Sequence, residues 1–124
     1  MKIIPSQFLF FFSLFISGCS SETKFIPHEL PIAQFNKPYF VRIELPPGEA
    51  VYCHSLYARI EPVNSGISST IEYFHSNENK RSFFCRTIDI QGTPKTNKKI
   101  IITVTGGGPA HSSIVNQKYI IEVK

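Results

Sequence analysis

The chain has 124 residues, with 13 Lys and Arg against 9 Asp and Glu, for a formal net charge of +4 at pH 7. This length suits one domain. The positive balance is too mild for a nucleic-acid-binding domain, which clusters basic residues more heavily and interleaves them with aromatic ones. The densest basic group, Lys95, Lys98 and Lys99, lies beside a predicted turn and is interpreted as a solvated loop.

The first 18 residues have the organisation of an export signal. Lys2 supplies a positive start, an apolar stretch follows over residues 3–16, and the small residues Ser17 and Gly18 precede Cys19. The apolar stretch is shorter than the roughly 20 residues that cross a bilayer. A permanent transmembrane helix is therefore the less favoured interpretation.

The end of this signal reads Ile16-Ser17-Gly18-Cys19 and resembles the lipobox of bacterial lipoproteins. The resemblance implies cleavage before Cys19, lipidation of its thiol, and durable anchoring by two or three fatty chains. Ser20 is not the aspartate that retains such proteins in the inner membrane. In a diderm cell this favours the outer membrane, facing the periplasm. The alternative is an ordinary secretory signal with a chance cysteine.

After the signal, residues 19–29 are polar and are interpreted as a lipidated tether, whereas residues 30–124 are predicted to form one domain. In this domain, short runs of period two alternate with turn residues, which predicts β-strands. A bulge is predicted near His54, where the side-chain parity changes. About seven antiparallel strands predict an all-β, immunoglobulin-like β-sandwich. The runs lie at residues 30–35, 39–45, 51–60, 67–74, 82–90, 100–105 and 118–123.

Two cysteines, Cys53 and Cys85, remain once Cys19 is assigned to the lipid. An exported compartment permits disulfides, so a bridge between them is predicted. Closing a loop of this length contributes roughly 3.5–4 kcal/mol in the chain-entropy model. A thiol nucleophile and metal ligation are the alternatives, but no CxxC or Cys–His cluster supports them. His54, the neighbour of Cys53, would point the opposite way in a strand.

Two stretches carry a further pattern, LPIAQFNKPYFVRIEL at residues 30–45 and IQGTPKTNKKIIITVTGGG followed by KYIIEV near the end. They resemble the opening and closing phrases of the bacterial putative-immunoglobulin domains related to cadherin-like modules. Asn36 stands where that family usually has glycine, and asparagine is the next residue to tolerate φ > 0. Phe83, Phe84 and Cys85 replace the family's mid-domain Leu-Pro-x-Gly-Leu segment. The resemblance implies the fold and leaves the ligand open.

The sequence offers no clear catalytic or metal site. Asp89 is the only aspartate, whereas calcium sites draw on several. Paired carboxylates among Glu44, Glu61 and Glu72 would suit a hydrolase, but these positions are predicted to face outward or to lie beside turns. The histidines share no HxH or HExxH spacing; they are His28, His54, His75 and His111. We therefore predict no enzyme, no cofactor and no metal.

These observations predict a membrane-anchored, non-enzymatic binding module for a protein or glycan partner in the cell envelope. A periplasmic inhibitor or immunity lipoprotein against a toxin or cell-wall hydrolase is the first alternative, and a small envelope hydrolase is the second. Contact is predicted through one sheet face or through loops 75–81 and 106–117, since exposed loops on rigid scaffolds commonly carry recognition. Four strand residues, Tyr52, Tyr57, Tyr73 and Phe74, are interpreted as core or cross-strand pairs. Any exposed member of this set would be a natural contact for a protein partner.

Overall fold

The computed structural model describes residues 22–72, 83–108 and 114–124. Several predicted features lie outside these ranges: Cys19 with the signal segment, loop 75–81 with His75, the aromatic pair Tyr73 and Phe74, and His111. Within the described ranges, no helix is long and apolar enough to cross a membrane.

The described chain is all-β. Its strands pair antiparallel in two three-stranded sheets, ordered β1-β6-β4 and β3-β7-β8, and a short ribbon of β2 and β5. Eight strands form where about seven were predicted. They are β1 Tyr39–Glu44, β2 Val51–Tyr52, β3 Tyr57–Glu61, β4 Ile67–Glu72, β5 Phe84–Cys85, β6 Thr87–Gly92, β7 Ile100–Gly107 and β8 Ile114–Ile121.

The two sheets form a sandwich, which confirms the predicted fold class. Their order corresponds to strands B-E-D facing strands C-F-G of an immunoglobulin-like domain. The central strand predicted at 82–90 is divided, because Phe84–Cys85 pair with β2 while β6 lies at the centre of its sheet, with Ile88 and Ile90 fully buried. On β1, Ile43 is buried while its neighbours Arg42 and Glu44 are exposed, as the alternating pattern predicted. Burying one such isoleucine contributes about 1.5–3 kcal/mol, so the facing aliphatic rows hold the sheets together.

The N-terminal segment differs from the prediction of a polar tether. Phe25 is fully buried, and residues 22–26 lie against the sandwich, where Glu22 bridges Ile114 in parallel and Ile26 bridges Glu44 antiparallel. The predicted strand at 30–35 is reduced to a single parallel bridge between Ala33 and Val123. The reason is geometric: the segment contacts both sheets in turn, so it keeps no ladder with either one.

Two further local predictions are corrected. In place of the bulge near His54, a 3-10 turn at Cys53–Ser55 separates β2 from β3. As a bulge would, this turn changes which alternate residues point inward. Both Cys53 before the change and Leu56 after it are therefore buried. The predicted loop 106–117 is mostly strand where it is described, because β7 continues through Gly107 and β8 begins at Ile114. Gly106 permits this continuation, since a Cβ there would lie 3.1 Å from the Leu56 side chain.

The sandwich has two ends of different character. The first, called the disulfide end, carries the β2–β5 ribbon, the turn after β1, the close of β7 and the start of β8. The second, called the lysine end, carries the turns at 34–38, 62–66 and 92–99 and the last residue. The lysines of that end are Lys37, Lys95, Lys98, Lys99 and Lys124.

Candidate binding surfaces

Two acidic side chains, Asp89 and Glu72, form ion pairs with Arg42 on the outer face of the β1-β6-β4 sheet. The Arg42 Nε donates to Asp89 Oδ1 at 2.7 Å, and its Nη2 donates to Asp89 Oδ2 at 3.0 Å and to Glu72 Oε1 at 3.1 Å. Hydrogen bonding from Arg42 holds the pKa of the Asp89 carboxyl below its usual value. Glu61 pairs instead with Arg59 at 2.9 Å on the other sheet. The structure thus brings Asp89 and Glu72 together, around an arginine that neutralises both.

The predicted disulfide is present between Cys53 and Cys85, with a Cα–Cα distance of 5.0 Å. It joins the 3-10 turn to β5 and stabilises the ribbon at the disulfide end. Both cysteines are buried. Among the described residues, no group of three or more His, Cys, Asp or Glu side chains is placed to hold a metal ion.

The backbone of β8 is open along part of one edge. The carbonyls of Ile114 and Glu122 accept from Thr23 and Ala33 across this edge, at 3.0 and 2.8 Å. In an antiparallel strand, alternate residues direct both backbone groups to the same side. The N–H and C=O groups of Lys118 and Ile120 therefore point to the same edge, and the described part of the chain supplies them no hydrogen-bond partner.

A groove of about 480 Å³ lies against this open edge. Residues 28–32 form its far wall, and β8 forms its near wall. Its aliphatic surface comes from Leu30, Ile32 and Ile120, of which Ile32 and Ile120 are about half exposed. We call this surface the β8 groove; its charged rim carries Glu29, Lys118 and Glu122, and His28 adjoins them.

A buried polar cluster fixes the position of the far wall. The Gln117 side chain accepts from the Phe25 N–H at 2.7 Å and donates to the Phe25 carbonyl at 3.1 Å. The Tyr119 hydroxyl donates to the Pro27 carbonyl at 2.7 Å. Burial raises the pKa of Tyr119 to about 12, so this hydroxyl remains a donor at neutral pH. Two inward side chains of β8 thus replace the backbone ladder that the N-terminal segment lacks.

The disulfide end presents a second surface, made of aromatic side chains. Tyr52 stacks on His54 on one side and on Phe84 on the other, each with ring centroids 5.3 Å apart. Phe83 is 77% exposed, and its carbonyl accepts from the Cys53 N–H at 2.8 Å. Tyr57, a predicted contact residue, is also exposed, on the outer face of the β3-β7-β8 sheet.

Sequence reasoning missed the β8 groove. The alternation in KYIIEV predicted the strand but gave no sign of which backbone groups would face an open edge. That depends on pairing between β7 and β8 and on where residues 24–32 leave β8, and both are tertiary features. The aromatic surface had a sequence signal, the adjacent Phe83 and Phe84 beside a cysteine.

Comparison with known proteins adds little. No protein-family model matches this chain, and no curated protein matches it. Among solved structures, the solution structure of amebosin is similar over 86% of this chain and 100% of that chain, with 15% sequence identity and a TM-score of 0.46.

Proposed function

We propose that this protein is a membrane-anchored binding module of the cell envelope that holds an extended segment of a protein partner in the β8 groove. The observation that carries the proposal is the open edge of β8. Lys118 and Ile120 each direct a backbone donor and acceptor into a groove with aliphatic walls. An incoming strand satisfies such an edge by β-augmentation, and side-chain pockets then provide specificity.

The groove favours a peptide segment over a glycan. Sugar sites combine side-chain hydrogen bonds with exposed aromatic faces, whereas the phenol ring of Tyr119 in this groove is 1% exposed and the other aromatic group among its described lining residues is the imidazole of His28. Backbone groups and aliphatic side chains are what an extended peptide meets when it joins a sheet edge.

Lys118 selects among peptide partners. The open stretch is centred on this residue, so antiparallel pairing of two β8 edges would place Lys118 opposite the Lys118 of a second copy. Like charges directly opposite are destabilising in a sheet, and edge lysines commonly prevent such self-pairing. A partner segment with an acidic residue opposite Lys118 and aliphatic residues toward Ile32 and Ile120 complements the groove.

The proposal is tested by removing one backbone donor. In Ile120→Pro, the lost N–H is the one that points into the groove, so the ladder with β7 is kept, and proline is tolerated at such edge positions. We expect this variant to lose capture of its partner from an envelope extract. Lys118→Glu, which leaves the backbone intact, should weaken the same capture by reversing the charge.

Ser69→Pro is the matched control. Ser69 lies on the edge strand β4, and its N–H points away from β6, as the bonding of Gly66 to Thr93 shows. This variant makes the same chemical change on the other sheet and should capture the partner as well as the unmodified protein does. Equal capture by all the variants would contradict the proposal. Circular dichroism checks that each variant retains its β-structure.

The anchor is tested separately. Cys19→Ala should abolish fatty-acid labelling and keep the chain at its unprocessed size, because the thiol is the predicted acceptor of the lipid. Unchanged labelling would remove the membrane anchor from the proposal while leaving the groove untouched.

A further inference from the structure

The chain enters the domain at the disulfide end. The Thr23 N–H donates to the Ile114 carbonyl at 3.0 Å, and the Thr23 hydroxyl donates to the Glu49 carboxylate. Residues 22–23 are therefore held between the start of β8 and the turn after β1. Cys19 precedes Glu22 by three residues, which reach about 11 Å when fully extended. A bilayer that holds the lipid of Cys19 lies next to this end.

Large apolar side chains are exposed at this end, as Phe35 and Val63 are at the lysine end. Phe83 is 77% exposed, Ile114 is 50% exposed and Phe84 is 38% exposed. The disulfide and the pairing of β2 with β5 hold these side chains on a rigid base.

The charges argue for contact with the lipid interface that does not depend on anionic lipid. Among the described residues near this end, Glu22, Glu44, Glu49 and Glu72 accompany Lys24, Arg42 and Arg86, so the described part of this end carries no excess of basic side chains. The lysines are concentrated at the other end, separated by the length of β7, about 25 Å at 3.3 Å per residue. Tyrosine side chains such as Tyr52 prefer the interface between water and hydrocarbon, where their apolar and polar parts are both accommodated, and phenylalanine side chains bury apolar surface at the same interface.

We propose that the disulfide end rests on the bilayer surface, with Phe83 and Phe84 in contact with lipid and the lysine end directed away from the membrane. This inference rests on the lipid anchor of the proposed function. It places the strands roughly along the membrane normal, so the β8 groove opens sideways and stays accessible to a partner. The short linker supplies the high effective concentration that lets a small aromatic surface stay in contact.

A tryptophan reporter tests the orientation, since the chain contains no tryptophan. Phe83→Trp places it at the disulfide end, and Phe35→Trp places it at the lysine end, where Phe35 is 44% exposed. Each full-length chain is produced in bacteria, purified from membranes and reconstituted into phosphatidylcholine vesicles with brominated acyl chains. We expect bromine to quench the tryptophan at 83 several-fold more than the tryptophan at 35, with little change in high salt.

Vesicle flotation and fatty-acid labelling report on the anchor independently. If the protein is labelled and floats, but the two tryptophans are quenched equally or the one at 83 is not quenched, the orientation is wrong and the anchor stands. If the protein is neither labelled nor floats, the anchor fails and the orientation fails with it. Phe84→Trp reads the same surface should Phe83→Trp disturb the fold, and thiol labelling verifies the disulfide in each variant.

Discussion

The two ends of the sandwich are closed in different ways. At the disulfide end, the Cys53–Cys85 bond joins two short strands, and aromatic side chains stay exposed. At the lysine end, backbone hydrogen bonds interlock three turns, with the N–H of Asn36 donating to Pro94 at 3.0 Å and that of Lys95 donating to Ser65 at 2.7 Å. A covalent bond therefore fixes the end that carries the β2–β5 ribbon, whereas interlocked turns close the end that carries the lysines. Apolar side chains are exposed at both ends, among them Phe83 at the disulfide end and Val63 at the lysine end.

The largest effect is expected from removing the covalent bond at the disulfide end. Replacing both Cys53 and Cys85 with alanine should lower the free energy of unfolding by about 3.5–4 kcal/mol, because the open chain regains the entropy of the closed loop. Urea unfolding of the variant and of the oxidised protein measures this loss. Reduction of the unmodified protein is the control and should give a similar value. A loss below about 1 kcal/mol would show that the ribbon holds without the bond.

The next largest effect is expected from a glycine substitution at the lysine end, compared with one at the disulfide end. Gly92→Ala should cost about 2–3 kcal/mol, since Gly92 has a φ of 136° and a Cβ would lie 2.1 Å from the Gly66 carbonyl oxygen. Gly48→Ala is the matched control at the turn after β1. Gly48 also has a positive φ, of 86°, but no atom within 4 Å of an added Cβ, so about 1 kcal/mol is expected. Equal losses would mean that close approach contributes nothing.

Much of this fold could be predicted from local pattern. The alternation in Tyr39–Glu44 predicted β1 in the right place, whereas the single strand predicted at 82–90 is divided into β5 and β6, which lie in different sheets. Asn36 adopts a φ of 62°, a left-handed conformation that asparagine was expected to tolerate at this turn. The Cys53–Cys85 bond was predicted from the expected export of the chain and from the two cysteines that remain besides Cys19.

What could not be predicted depends on contacts distant in sequence. Residues 22–29 look polar, and their contacts with β8 and β1, together with the packing of Phe25 under Gln117 and Tyr119, make them part of the domain. The β8 groove depends on which edge of β8 the backbone groups of Lys118 and Ile120 face. The sequence of β8 alone does not determine this. Local sequence patterns therefore predict most of the strands, whereas the candidate site depends on tertiary pairing.

A smaller effect is expected from changing the buried polar cluster that connects the N-terminal segment to β8. Gln117→Leu keeps a similar volume but leaves the buried Phe25 N–H and carbonyl without the amide partner. We expect a loss of about 2 kcal/mol, as for other unsatisfied buried groups. Hydrogen exchange at the Phe25 amide should accelerate more than exchange in β6. Unchanged exchange at Phe25 would mean that the segment is held by other contacts.

The smallest expected effect concerns the ion pair on the sheet face between the two ends. Because hydrogen bonding from Arg42 lowers the Asp89 pKa below its usual 3.8, the carboxylate stabilises the folded state above that pH. This contribution should disappear as the pH falls through the lowered pKa. Asp89→Asn should therefore melt at a lower temperature than the unmodified protein at pH 7, with the difference shrinking in acid. If the difference in melting temperature did not shrink as the pH fell below the Asp89 pKa, the stabilising role assigned to the Asp89 carboxylate would be wrong.

Hydrogen exchange along the β8 edge tests the central claim most directly. In the free protein, the amides of Lys118 and Ile120 should exchange rapidly, since the described chain offers them no acceptor. In the complex isolated from envelope extract, both should become protected, while the amide of Ser69 on the β4 edge should be unchanged. Protection that appears elsewhere, with Lys118 and Ile120 still exchanging freely, would show that the partner does not bind in the β8 groove.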